Sequence, residues 1–148
     1  DVYKRQDLPC TDMTIMVQKE VGQRMVASEK DKEYSSLSVF VKFYSDAKLL
    51  INLPKSVFMP QPKIDSTILN LRLRLYDENV DKDLLFQLVR AGFNKRRKTI
   101  LNSLSDVRDK EDLKIAFKDA DLKENLRAEN LSLDDFIKLT NILSESKY

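Results

Sequence analysis

The sequence predicts an α/β region followed by an all-α region, and three observations carry that expectation. Met13-Thr14-Ile15-Met16-Val17 is a largely apolar run of strand length that leads into a helical pattern over 18–28, and a strand feeding a helix is α/β grammar. Leu69, Leu71, Leu73 and Leu75 alternate with Asn70, Arg72 and Arg74, a period of two that puts leucines on the core side and guanidinium groups outside. Beyond Asp81 every apolar pattern has helical spacing. The polar stretch Asp77-Glu78-Asn79-Val80-Asp81 separates the two regimes, so the expected domains are 1–78 and 79–148.

Taken in order, Met13–Val17 reads as a buried strand with no hairpin partner before it. Such a strand is normally covered on both faces, so a sheet that begins here is expected to expose an edge and apolar surface. In the next segment Val21, Met25 and Val26 fall at helical spacing among Lys19, Glu20 and Arg24. Leu37-Ser38-Val39-Phe40-Val41-Lys42-Phe43-Tyr44 is rich in β-branched and aromatic residues and reads as a strand, and Lys48–Leu53 reads as another after the break Ser45-Asp46-Ala47. In the second region Leu84, Leu85, Leu88 and Val89 share one helical face. Ile100, Leu101 and Leu104 form a second such face, and Leu113, Ala116 and Phe117 a third. Ser132-Leu133-Asp134-Asp135 resembles a capping box with aspartate in place of glutamate, ahead of a stripe of Phe136, Leu139, Ile142 and Leu143.

Composition narrows the chemistry. The chain of 148 residues has 42% hydrophobic and 34% charged residues, the balance of a globular protein and not of a disordered tail. It contains no histidine and a single cysteine, Cys10. An internal disulfide is therefore impossible, and zinc sites, Ser-His triads and Cys-His pairs lose their usual components. No apolar run reaches the roughly 18 residues of a membrane span, and the start lacks the apolar stretch of a signal peptide. A soluble protein with no membrane partner is expected.

The net charge of +2 divides unevenly: residues 105–148 carry eleven acidic and eight basic side chains, which leaves the earlier residues basic. The densest basic cluster is Lys95-Arg96-Arg97-Lys98 at an expected helix start. Phosphate oxygens suit it, because guanidinium groups bind them bidentately, although a solvated charged turn has the same composition. Phe58-Met59-Pro60-Gln61-Pro62 holds an aromatic residue beside two prolines that stiffen the backbone. This loop is either a stacking platform or a strand end whose phenylalanine plugs the core. Asn52-Leu53-Pro54 invites comparison with the Asn-(Leu/Ile)-Pro-Tyr signature of amino-group methylases, but Lys55 occupies the aromatic position, so it reads as an ordinary strand end. The only glycines, Gly22 and Gly92, lie inside helical patterns and form no nucleotide-cradling turn.

Five ordered segments, MTIMVQKEVGQRMVAS, LSVFVKFY, VFMPQPKIDS, FNKRRKTILNSL and LRAENLS, together resemble the small-subunit ribosomal RNA adenine N6,N6-dimethyltransferases of the bacterial KsgA type. The resemblance runs from about Met13 to the C-terminus and matches the later part of the family's chain; the first six residues match nothing in it. It implies the end of a Rossmann-like S-adenosylmethionine methyltransferase sheet followed by a small helical rRNA-binding domain. The implied activity is dimethylation of two adjacent adenosines near the 3′ end of small-subunit rRNA. The implied partners are that rRNA and the immature small ribosomal subunit, met in the cytoplasm by a monomer.

By the same resemblance, Phe58 matches the aromatic that flanks the flipped target adenine, and Pro60 and Pro62 hold its loop. Lys95, Arg96, Arg97 and Lys98 match the family's basic segment, and Arg72 and Arg74 extend that RNA-facing surface. Gln18, Lys19 and Glu20 match a Gln-Lys-Glu whose role is packing or substrate contact, and Ser35 stands where the family often has glycine. The S-adenosylmethionine site, the catalytic Asn-Leu-Pro-Tyr and the N6 hydrogen-bond acceptors precede Met13 in the family, so this chain alone is expected to be inactive, and no metal is implied. Extruding and stacking an adenine so that its amine attacks the sulfonium methyl needs no histidine. Two other readings stand beside this one: a non-catalytic RNA-binding module, and a scaffold whose acidic tail docks on a basic protein.

Overall fold

A computed structural model of the chain describes residues 10–74 and 79–145. By its internal packing the chain divides into two compact units, Asp1–Val26 with Val41–Tyr76, and Ala27–Phe40 with Asp77–Tyr148. The sequence division at 78/79 thus differs for one stretch, since Ala27–Phe40 packs with the helical unit. Leu75 of the leucine alternation, the linker residues Asp77 and Glu78, and the first six residues lie outside the described part.

The first unit is built on a sheet of β1 (Asp12–Gln18), β2 (Ser45–Leu53) and β3 (Ser66–Leu73) in the order β1-β3-β2. β3 runs antiparallel to both neighbours, with Ile15 opposite Leu69 on one side and Leu49 opposite Leu69 on the other. β1 and β2 are therefore parallel to each other, and the chain crosses between them through α1 (Lys19–Val26) and α2 (Ser36–Tyr44). The expected alternation holds in β3: Thr67, Leu69 and Leu71 are buried while Arg72 is exposed. β1 is not enclosed on both faces. Among the described residues it stands at the sheet edge, with Met13, Ile15 and Val17 half-buried and Met16 55% exposed. Leu50 and Ile51 on the other edge strand are also exposed, so the sheet shows the apolar surface expected of it.

α2 corrects the reading of 37–44 as a strand. β-branched and aromatic content is a weak prior that local capping and tertiary burial override. Ser35 precedes the helix, its carbonyl accepting from the Val39 N–H at 3.2 Å and its own N–H donating to Ser38 Oγ at 3.0 Å. Serine suits this position, and among the described residues those with positive φ are Lys30 and Asp121, so nothing at Ser35 calls for glycine. Ser45-Asp46-Ala47, read as a break, is the start of β2.

Gly22 shows why α1 sits where it does. A β-carbon there would lie 2.2 Å from the Thr67 γ-methyl and 3.2 Å from a Leu69 methyl, so only glycine permits this approach of helix to strand. Thr67 cannot simply turn away, because its hydroxyl donates to the Ile51 carbonyl at 3.0 Å. Overpacking costs about 1–3 kcal/mol, and so close an approach to the Thr67 methyl belongs to the upper part of that range, above the roughly 1 kcal/mol that alanine returns in helix propensity. Gly22→Ala should therefore lose about 1–2 kcal/mol in urea unfolding, and Thr67→Ser, which removes the offending methyl, should recover most of it in the double variant. Unchanged stability of Gly22→Ala would contradict the packing.

The second unit carries α3 (Lys82–Asn94), α4 (Ile100–Leu104), α5 (Lys110–Asp119) and α6 (Leu133–Glu145). The expected faces form its core: Leu84, Leu85, Leu88, Val89, Ile100, Leu104, Leu113, Ala116 and Phe117 are buried, as are Phe136, Leu139 and Leu143, while Leu101 and Ile142 are only half-buried. The reciprocal cap forms as predicted, with Ser132 N–H donating to the Asp135 carboxylate at 2.8 Å and Asp135 N–H donating to Ser132 Oγ at 3.2 Å. No helix among the described residues is long and apolar enough to cross a membrane.

Candidate functional site

Residues 54–65 join β2 to β3 as a loop whose two ends are tied together. β2 ends where Leu53 pairs with Ser66, and Pro54 opens a 3₁₀ turn over Lys55–Val57. Asn52-Leu53-Pro54 is thus a strand end, as read. The Asp65 carboxylate accepts the Lys55 N–H at 3.0 Å, and the Asp65 carbonyl accepts the N–H of Lys19, the first residue of α1, also at 3.0 Å. One residue therefore closes the loop and fastens it to the helix.

Phe58 follows the 3₁₀ turn and is half-buried, while Val57 is 60% and Met59 99% exposed. It is therefore neither a sealed core plug nor a free side chain. The Met59-Pro60 peptide is cis, Pro60 is exposed and Pro62 half-buried. A ring held by a tied, proline-stiffened loop and partly open to solvent has the properties of a stacking surface, because little side-chain or loop entropy remains to be lost on contact.

In the second unit, Lys95-Arg96-Arg97-Lys98 lies in the turn between α3 and α4, not at a helix start. Lys95 is the C-terminal cap of α3, and Thr99 intervenes before α4. Cations at this point complement the carbonyl end of α3. All four side chains are exposed, and with Phe93 and Asn94 they line a cleft of about 510 Å³. Lys95 pairs with Asp106, and Arg96 lies 3.5 Å from the Glu129 carboxylate. Arg97 and Lys98 have no ion pair among the described residues.

The turn is held from the side by 126–131. Ile100 N–H donates to the Leu126 carbonyl at 2.6 Å, and Asn130 Oδ1 accepts the Arg127 N–H at 3.0 Å. The RAEN segment is thus a brace for the basic turn.

Arg72 and Arg74 are exposed, as expected, but their surroundings are not purely basic. Arg72 stands directly opposite Asp12 on β1 and Asp46 on β2, and Arg74 lies 3.3 Å from the Asp46 carboxylate. Glu20 of the Gln-Lys-Glu run pairs with Arg24 one turn along α1. Gly22 lies within α1 and Gly92 within α3. Among the described residues nothing forms a glycine-rich turn of the kind that cradles a nucleoside cofactor.

The sequence profile of the ribosomal RNA adenine dimethylase family matches residues 2–145, so the match begins ahead of Met13 and takes in all but the first of the six opening residues expected to lie outside it. The chain belongs to that family. It is 39% identical over 147 residues to the ribosomal RNA small subunit methyltransferase A of Clostridioides difficile, covering 96% of this chain and 50% of the relative. It is 41% identical over 143 residues to the protein of the same name from Oceanobacillus iheyensis, covering 93% and 49%. The chain thus spans about half the length of the curated relatives it matches. Among solved structures, a dimethyladenosine transferase from Plasmodium falciparum superposes with a TM-score of 0.81 at 26% identity, covering 97% of this chain and 60% of that one. The 23S rRNA methyltransferase ErmE shares the fold, with a TM-score of 0.59 at 19% identity over 90% of this chain and 55% of its own.

Proposed function

We propose that this chain is the RNA-docking part of an S-adenosylmethionine-dependent enzyme that dimethylates N6 of two adjacent adenosines near the 3′ end of small-subunit rRNA. In this reading residues 1–78 complete the catalytic domain and 79–148 are the helical rRNA-binding domain. The protein acts as a monomer in the cytoplasm on the immature small subunit. The cofactor site lies in sequence preceding this chain, which by itself does not catalyse. Phe58 is one wall against the extruded adenine, positioned by Pro60, Pro62 and the Asp65 tie. The basic turn 95–98 takes backbone phosphates, with Arg97 and Lys98 carrying most of the attraction. Arg72 and Arg74 add less, because Asp12 and Asp46 offset them.

The observation that carries this reading is the pair Arg97 and Lys98, exposed beside a cleft and without an ion pair among the described residues. Replacing both with alanine should weaken binding of small-subunit rRNA and flatten the dependence of log K on log salt by about 0.7–0.9 per lost phosphate contact. Fluorescence anisotropy over a salt series reads both; unchanged affinity and slope would reject the assignment. The absence of a glycine-rich turn among the described residues favours a second reading for the chain in isolation, a non-catalytic RNA-binding module.

A further inference from the structure

A second basic cleft, in the first unit, was not legible in the sequence. Lys19, Glu20 and Gln23 of α1 face Lys55, Lys63, Ile64 and Asp65 of the β2–β3 loop across a cleft of about 520 Å³. Lys55 lies three residues before Phe58 and Lys63 five after it. The loop that presents the aromatic ring therefore also returns a lysine on each side of it to one concave surface.

Both carboxylates of the cleft are already engaged. Glu20 pairs with Arg24, and Asp65 accepts the Lys55 N–H at 3.0 Å. Lys19, Lys55 and Lys63 make no ion pair among the described residues. Three lysines against two carboxylates leave the cleft net positive, a charge that an anion would balance, and lysine acts on phosphate as a compact point charge that needs no fixed approach. The cleft is also not purely polar. Ile64 is 46% exposed at its edge, and Val57 and Met59 are exposed on the same loop. Lysines and an apolar side chain around a cleft, on a loop that also carries the aromatic Phe58, make the composition of a single-stranded nucleic acid groove, where bases stack and the backbone tracks the charges. A duplex presents its phosphates without unstacked bases and would leave the apolar part unused.

We infer that Lys19, Lys55 and Lys63 form a phosphate clamp for single-stranded RNA, gripping the backbone beside the nucleotide stacked on Phe58. This rests on the RNA reading above and assigns it a second contact region, separate from the basic turn 95–98. The clamp holds the strand in register while the base is out of its stack.

The test uses the full chain, a short single-stranded RNA with two adjacent adenosines, and anisotropy over a salt series. Lys55→Ala/Lys63→Ala should weaken binding roughly ten-fold and lower the salt slope by about 1.4, which is 0.7 for each phosphate on a single strand. Lys55→Arg/Lys63→Arg should restore the slope. Lys114→Ala/Lys118→Ala, a change of equal charge on α5, should leave it unchanged. If wild type binds and Lys55→Ala/Lys63→Ala keeps its affinity and slope, the clamp is wrong, while an effect of Arg97→Ala/Lys98→Ala would still uphold RNA binding. If the α5 control lowers the slope equally, the attraction is a property of net charge and the clamp is again overturned. No binding by wild type would remove both this inference and the reading beneath it.

Discussion

Tyr34→Ala should remove about 3–5 kcal/mol from the helical unit, the cost of deleting a large buried aromatic. Tyr34 is fully buried, its ring meets Phe93 edge to face at 5.5 Å, and its hydroxyl donates to the Leu131 carbonyl at 2.9 Å. Against a total stability of about 5–15 kcal/mol, that loss leaves the unit marginal near 37 °C. Tyr34→Phe keeps the ring but leaves the Leu131 carbonyl without this donor, at about 1–1.5 kcal/mol. Leu131 follows the segment that braces the basic turn through Glu129 and Leu126, so the first damage is expected there.

The phenol also gives a pH signature. Burial first, then the charges of Glu29 and Asp135, push its pKa well above the usual tyrosine value. The folded state therefore holds a proton that the unfolded state releases near pH 10. The stability from Tyr34 is complete below about pH 10 and is lost as pH rises toward the folded pKa. Tyr34→Phe should show a shallower alkaline decline than wild type in chemical unfolding, and equal slopes would contradict the burial of the hydroxyl.

Phe58→Ala should weaken binding of adenine-containing single-stranded RNA by about 1–3 kcal/mol, the range for removing one base-stacking ring. The ring is half-buried and its loop is tied by backbone groups of Lys19 and Lys55 to Asp65, so stability should fall much less than for a core phenylalanine such as Phe117. The salt slope should stay unchanged, because no charge is lost. That separates stacking from the electrostatic contacts of 95–98. Phe58→Tyr, which retains the aromatic face, should bind like wild type. A Phe58→Ala protein with wild-type affinity would place the base elsewhere.

Most of the fold could be read from periodicity. Leu69 and Leu71 on β3, the faces of α3 to α6 and the Ser132–Asp135 cap all follow local rules that need no tertiary knowledge. The segment 37–44 failed because its β-branched residues speak for a strand, while the helix is selected by the Ser35–Ser38 cap and by burial of Ser38, Val39, Val41 and Phe43. The basic cluster was visible as composition, but its setting was not. Which of four adjacent cations are neutralised depends on Asp106 and Glu129, far along the chain. For the same reason Arg72 and Arg74 looked freer in the sequence than they are beside Asp12 and Asp46. The lysine cleft needed the fold altogether, since Lys19 meets Lys55 and Lys63 only once α1 is bonded to Asp65.

The proposed rRNA contacts are the Phe58 loop and the turn 95–98. Ultraviolet cross-linking of the chain to small-subunit rRNA, followed by mass spectrometry of the linked peptides, tests them most directly. Cross-links are expected on the peptides containing Phe58 and on those containing Arg97, with the linked nucleotides at adjacent adenosines near the rRNA 3′ end. Cross-links confined to other surfaces, or none from a folded chain, would contradict them.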